Sequence, residues 1–112
     1  MSEVYFADLR ADRASQSVLA KVQKLFRKAG LGETFHPGDL VAIKTHFGEE
    51  GNTAYLRPEL VSKVVDMVAK GGGRPFLTDS STLYKGMRNN AVDHLQLAAR
   101  HGFTYPVVNA PV

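Results

Sequence analysis

The chain has 112 residues, a formal net charge of +3, 44% apolar residues and no cysteine. That is enough for one domain with a real core, and the missing cysteines exclude a disulfide framework, a thiolate nucleophile and a cysteine-ligated metal or iron–sulfur cluster held by these residues. No apolar run approaches the ~20 residues of a membrane span, and Met1-Ser2-Glu3-Val4 opens no basic-then-apolar leader, so the expectation is a cytoplasmic chain without a membrane partner.

The first segment, Val4-Tyr5-Phe6-Ala7, reads as a short strand. Asp12 or Ser15 is placed to cap the helix that follows, whose apolar face recurs at Val18, Leu19, Val22, Leu25, Phe26 and Ala29 before Gly30 closes it. Lys21, Lys24, Arg27 and Lys28 sit on the same helix with no aromatic residue interleaved. They read as a solvated face rather than a nucleic-acid surface. His36-Pro37-Gly38-Asp39 is turn chemistry, and Leu40-Val41-Ala42-Ile43-Lys44 is a second strand whose continuous apolar run suits burial on both faces.

Pro58 and Glu59 suit the first turn of a second helix, which buries Leu60, Val61, Val64, Val65 and Val68 and ends at Gly71-Gly72-Gly73. Pro75-Phe76-Leu77-Thr78 is a third strand. Asn89 or Asn90 caps a third helix with Ala91, Val92, Leu95, Ala98 and Ala99 inward, Gly102 ends it, and Tyr105-Pro106-Val107-Val108 begins another extended segment. Strands alternating with helices predict an α/β fold: a mostly parallel sheet with helices packed on it, in a single unit over residues 1–112. The run-out at Ala110-Pro111-Val112, just past an apolar segment, reads as an incomplete domain of a longer protein.

Two loops carry more polar chemistry than a plain connection needs. Both follow predicted strands at their carboxyl ends, where open α/β sheets bind ligands. In the first, Lys44 offers a point charge to an anion. His46 is a candidate acid/base, and Gly48 and Gly51 allow close backbone approach, while Asn52 and Thr53 add neutral hydrogen bonds. In the second, Asp79 is a candidate catalytic carboxylate, of the kind that binds a cation, a hydroxyl or a neighbouring lysine, Ser80 adds a hydroxyl, and Tyr84 and Arg88 follow on the same connection. Asp79 also has a plain reading, as a residue capping its own turn. The glycines match neither a Walker loop nor a G-x-G-x-x-G fingerprint. A metal set of His46, Glu49 and Asp79 lacks H-x-H or H-x-x-x-H spacing, so no metal is assigned. His94 reads as a packing or surface histidine, and His36 and His101 as turn and helix-end residues.

The blocks Val41 to Glu49, Gly51-Asn52-Thr53, Leu56-Arg57-Pro58 and Pro75 to Tyr84, with Gly86, Arg88 and Asn90, keep a specific order and spacing. So do Ala98, Gly102-Phe103 and the closing Ala110-Pro111-Val112. Together they resemble the N-terminal part of the family called "domain of unknown function 362", whose members are described as Fe–S centre proteins. The resemblance implies longer cytoplasmic proteins, many with a ferredoxin-type insert that binds 4Fe–4S clusters. It also implies that Lys44, His46, Gly48, Asn52, Asp79, Tyr84 and Arg88 are motif positions. This chain departs from the pattern in having no cysteine, so a cluster would belong to the longer parent and no cofactor is assigned here.

Three expectations follow, and the residues leave open whether the chain is an enzyme. It is the α/β scaffold of a redox protein, with a polar site facing a small anionic ligand. Alternatively it is an enzyme half-site for an anionic metabolite or nucleotide, with His46 as acid/base, Lys44 and Arg88 as anion clamps and Asp79 orienting or metal-binding. In the third, it is a structural fragment whose apolar surface meets the rest of a parent chain or a second copy.

Overall fold

A computed structural model describes residues 1–112. In chain order the elements are α1 (Val18–Lys28), β1 (Leu40–Lys44), α2 (Pro58–Lys70), β2 (Arg74–Thr78) and α3 (Ala91–Arg100), with short 3-10 turns at Ala14–Gln16 and Leu31–Glu33. β1 and β2 pair in parallel, from Leu40 beside Arg74 to Lys44 beside Thr78. The fold is therefore α/β, with α2 as the crossover between two parallel strands.

Local chemistry accounts for the element ends. Ser17 caps α1, its hydroxyl accepting from the Ala20 N–H at 3.3 Å. Gly30 follows that helix in the left-handed conformation, φ 66°, which a side chain disfavours. Pro58 stands at the start of α2, where its missing N–H is not needed. Asn90 caps α3, accepting from the Asp93 N–H at 3.0 Å.

The core lies where α2, β2, α3 and the segment after it meet. Its members are Phe47, Val61, Val65, Leu77, Ala98, Phe103, Val108 and Ala110, with Ile43 and Tyr55 packed against it. α1 packs on α2 rather than on the sheet. The accessible surface is 7766 Å², whereas a closed monomer of 12.2 kDa exposes about 6,100 Å². The radius of gyration of 15.2 Å likewise exceeds the ~13 Å of a compact chain this long. The excess surface includes the face of β1 that carries Leu40 and Ala42; Leu40 is 69% exposed.

Four sequence expectations are corrected. Residues 4–7 form no strand; they lie along α1, with the Lys28 ammonium 5.8 Å from the Tyr5 ring centroid and Lys21 bonded to Asp8 at 2.7 Å. Without a ladder partner, side-chain ties to the helix decide their path. Residues 105–108 form turns, and only later does the chain reach the sheet, where the Pro111 carbonyl accepts from the Leu77 N–H at 2.8 Å. β1 is not covered on both faces, because exposed and half-buried residues alternate along it. α3 is rotated from its expected face: it buries His94, Leu97 and Ala98 and leaves Val92 and Leu95 exposed. His94 packs inward with its ring edge-on to Phe47, on the side of the sheet end that carries Asp79.

Phe103→Ala, at a side chain with no exposure, should lower the unfolding free energy by about 3–5 kcal/mol, read from the urea midpoint. Leu40→Ser on the open face should move it by no more than about 0.5 kcal/mol.

Candidate functional site

Because Lys44 and Thr78 are level in the sheet, the loops that follow leave it side by side. The Thr45 N–H donates to the Thr78 carbonyl at 3.0 Å and carries the pairing one residue past β1. Asp79 then turns inward until its carboxylate is 2% exposed. Oδ1 accepts from the Ser80 N–H at 2.8 Å and from Lys44 Nζ at 3.3 Å. Oδ2 accepts from Arg88 Nη2 at 3.0 Å and from the Phe47 N–H at 3.4 Å.

Arg88 is the hub. Its side chain is 7% exposed, and Nη1 lies 2.5 Å from Glu49 Oε1, 2.8 Å from His46 Nε2 and 3.2 Å from the Tyr84 hydroxyl. Tyr84 also donates to Glu49 Oε1, at 2.5 Å. One guanidinium thus ties the first loop, through Glu49 and His46, to the second, through Asp79. The expected clamp on an external anion is, at both Nη atoms, already engaged by the chain's own carboxylates. Lys44 remains the outward cation, with its side chain 65% exposed.

The charges shape one another. Burial works against the Asp79 carboxylate, but the Ser80 N–H, Lys44, the Phe47 N–H and Arg88 outweigh it and hold its pKa below the usual value. Glu49 is also lowered, first by the Tyr84 hydroxyl and then by Arg88. Tyr84 is raised by donating to Glu49. Burial disfavours the Arg88 cation, yet Glu49 and Asp79 more than compensate and raise its pKa.

His46 is caught between two donors. The Gly48 N–H points to Nδ1 at 2.8 Å and Arg88 Nη1 to Nε2 at 2.8 Å. A neutral imidazole has one acceptor nitrogen, so only one of these contacts is a hydrogen bond at a time. Gly48 itself sits at φ +90°, and a Cβ there would lie 2.5 Å from the Tyr55 ring and 2.7 Å from His101 Nδ1. Its role is steric as well as conformational.

Gly51, Asn52 and Thr53 stand apart from the charged cluster. Gly51 is a turn residue at φ 78°, Asn52 caps the turn by accepting from the Ala54 N–H at 2.7 Å, and Thr53 is exposed. Ser80 contributes its backbone rather than its hydroxyl. His94 was assigned no role from sequence, yet it is buried with Nε2 3.3 Å from Asp79 Oδ2 and its ring edge-on to Phe47. His101 donates Nδ1–H to the Phe47 carbonyl at 2.7 Å and stacks on Tyr55. The helical spacing of His94 with Leu97, Ala98 and His101 was the available signal for both.

Three buried polar atoms in and around the cluster lack a hydrogen-bond partner: Thr45 Oγ1, Arg88 Nε and His94 Nε2, the last within reach of Asp79 but out of line with it. Thr45, His46, Gly48, Glu49, Asn52 and Tyr55 line a cavity of about 370 Å³ beside them. No group of three or more His, Asp or Glu side chains is arranged to hold a metal ion.

Asp79→Asn should cost about 3–5 kcal/mol, because it leaves Arg88 and Lys44 facing a neutral group at a buried position. Since the folded pKa of Asp79 is depressed, its contribution is full above the unfolded value of about 3.9 and is lost as pH falls through the folded value. Urea midpoints measured from neutral pH down should therefore show a shallower acid limb in the variant. Gly48→Ala should collapse the first loop, seen as loss of the Tyr55 and His101 ring-stacking shifts in NMR spectra.

The profile of the domain of unknown function 362 matches residues 41–112. Over 68 residues the chain is 35% identical to a thylakoid-associated protein of Synechocystis; the stretch is 57% of this chain and 21% of that protein. The chain thus spans about a fifth of the curated relative it matches. No solved structure matches. The matched region holds both polar loops, both strands and the Arg88 hub, and the chain belongs to the family of the domain of unknown function 362.

Proposed function

We propose that the carboxyl ends of β1 and β2 form a binding site for a small anionic ligand, with Lys44 as its outward cation. The observation that carries this reading is the surplus of donors over acceptors. Arg88 Nε is buried without a partner, His46 offers one acceptor to two donors, and the Lys44 ammonium has one protein partner, Asp79. Acceptor oxygens supplied from outside satisfy such a set. The N-terminus of α2, opened by Pro58 and Glu59, is a further feature of the same end of the sheet. In this reading Asp79 and Arg88 hold the two loops in place, His46 is the candidate proton-exchanging group, and the ligand sits at the exposed Lys44 ammonium.

A redox role for the longer parent is a second reading, supported by the resemblance of the sequence blocks to Fe–S centre proteins. A cysteine-ligated cluster does not fit the residues of this chain, which has no cysteine. Any 4Fe–4S cluster would lie elsewhere in the parent, and this segment would be its scaffold in the cytoplasm. Anaerobic reconstitution of the parent, followed by iron analysis and visible absorbance, decides that reading; a colourless, iron-free protein ends it.

Lys44→Ala should weaken binding of inorganic phosphate or citrate about tenfold or more, measured by calorimetry, while the urea midpoint falls only modestly because Lys44 is largely exposed. Unchanged anion affinity in that variant would remove the proposed site.

A further inference from the structure

Where α1 packs on α2, the two helices and the turn Leu31–Glu33 border a cleft of about 340 Å³ that shares no residue with the Arg88 cluster. α1 presents Gln23 and Arg27 to it, and α2 presents Lys63, Met67 and Lys70, at the three- and four-residue steps that set side chains on one helix face. Three cations therefore line the cleft with one carboxylate, that of Glu33. Phe26, 8% exposed, adds an apolar wall beside Met67.

None of the three cations is in an ion pair. Glu59 precedes Lys63 and Asp66 precedes Lys70 by four residues, the order that favours pairing on a helix surface, and neither pair is closed. Arg27 and Lys70 stand in the last turns of their helices, where a cation complements the free carbonyls in any case. Lys63 has no such reason for its place: it lies mid-helix and half-buried, without a carboxylate beside it. Like charges gathered in one cleft repel unless an anion lies among them. Three cations against one carboxylate leave two positive charges over, and a phosphate monoester carries about −1.5 to −2 at neutral pH. The Arg27 fork suits its oxygens and the two lysines add point charges. Glu33 and Gln23 ask for the opposite chemistry, since a carboxylate only accepts and an amide also accepts. Hydroxyl groups meet both.

We propose that this cleft is a second binding site, separate from the strand ends, and that its ligand is a sugar phosphate. The phosphate lies among Arg27, Lys63 and Lys70, and the sugar hydroxyls face Glu33 and Gln23. The volume is within the range of small-molecule sites. The inference stands on its own residues and does not depend on the anion reading of the Lys44 site.

The test is titration of the chain with glucose 6-phosphate, inorganic phosphate and glucose, followed in amide NMR spectra. The amides of Gly30, Gly32 and Gly71 report the cleft, and those of Phe47 and Ser80 report the strand ends. Glucose 6-phosphate should move the three glycine signals and bind there about tenfold tighter than inorganic phosphate, while glucose moves none. Lys63→Met keeps the aliphatic stem and should weaken glucose 6-phosphate about tenfold or more, the same spectra showing that the fold is intact. Lys85→Met, at an exposed lysine outside the cleft, should change nothing. Glu33→Ala should bring the two phosphates to similar affinities. Glycine shifts that survive Lys63→Met overturn the proposal. Shifts confined to Phe47 and Ser80 also overturn it and leave the strand-end site standing. Equal affinity of the unaltered chain for glucose 6-phosphate and inorganic phosphate overturns the sugar phosphate as ligand. Absence of any shift with either phosphate removes the cleft site and counts against the strand-end site as well.

Discussion

The arrangement of both strand-end loops depends on one buried guanidinium. Arg88 is reached by Glu49 and His46 from one loop and by Asp79 from the other, and its side chain is 7% exposed. A cation buried to that degree is tolerable only with its countercharges in contact. Asp79 and Glu49 supply them, and in doing so they fix two loops that share no backbone hydrogen bond beyond the one between Thr45 and Thr78. The Ser80 N–H and Lys44 lead in lowering the Asp79 pKa and the Tyr84 hydroxyl leads for Glu49, with Arg88 adding to both, and the two carboxylates in turn raise the pKa of Arg88. Removing Asp79 leaves Arg88 with Glu49, itself partly exposed, as its remaining countercharge.

The sheet sets where this cluster forms, and the helices set what covers it. A parallel pair joined by α2 brings two strand ends level, so both loops emerge at one edge. α1 rides on α2, and α3 shares the core through Ala98. The face of β1 bearing Leu40 and Ala42 has no helix over it, which contributes to an accessible surface well above that of a closed monomer. β1 also has β2 as its single neighbour in the sheet, so its outer backbone edge is open. The matched stretch is 21% of the Synechocystis protein, which is longer than this chain.

The site is short of acceptors rather than short of charge. Two cations and two carboxylates balance within the cluster, yet the geometry leaves donors over: Arg88 Nε–H, the surplus hydrogens of Lys44 and whichever donor His46 does not satisfy. Net charge alone would describe the cluster as neutral and indifferent. Counting lone pairs against N–H and O–H groups is what favours the proposed anion-binding reading over an indifferent cluster. The same count distinguishes His46, crowded by donors, from His94, which faces the Asp79 carboxylate.

Local chemistry wrote the elements into the sequence. The bounds of β1, the proline-led start of α2, the asparagine cap of α3 and the glycine stops after α1 and α3 depend on residues within one or two turns of each other. The position of Lys44, His46, Asp79 and Arg88 on strand-end loops follows from the same patterns. What the sequence by itself did not determine was every feature that needs a distant partner. Residues 4–7 have strand composition but no strand, because pairing requires a ladder that α1 contacts replaced. α3 has an aliphatic stripe through Val92 and Leu95, yet it turns His94 inward, where its ring packs edge-on against Phe47. Arg88 reads from sequence as a clamp for an external anion until Glu49, 39 positions away, and Asp79, nine away, close on it. Helix propensity and turn chemistry are short-range and legible in one dimension. Burial, charge pairing and the satisfaction of hydrogen bonds are properties of contacts across the fold, so only the tertiary structure decides them.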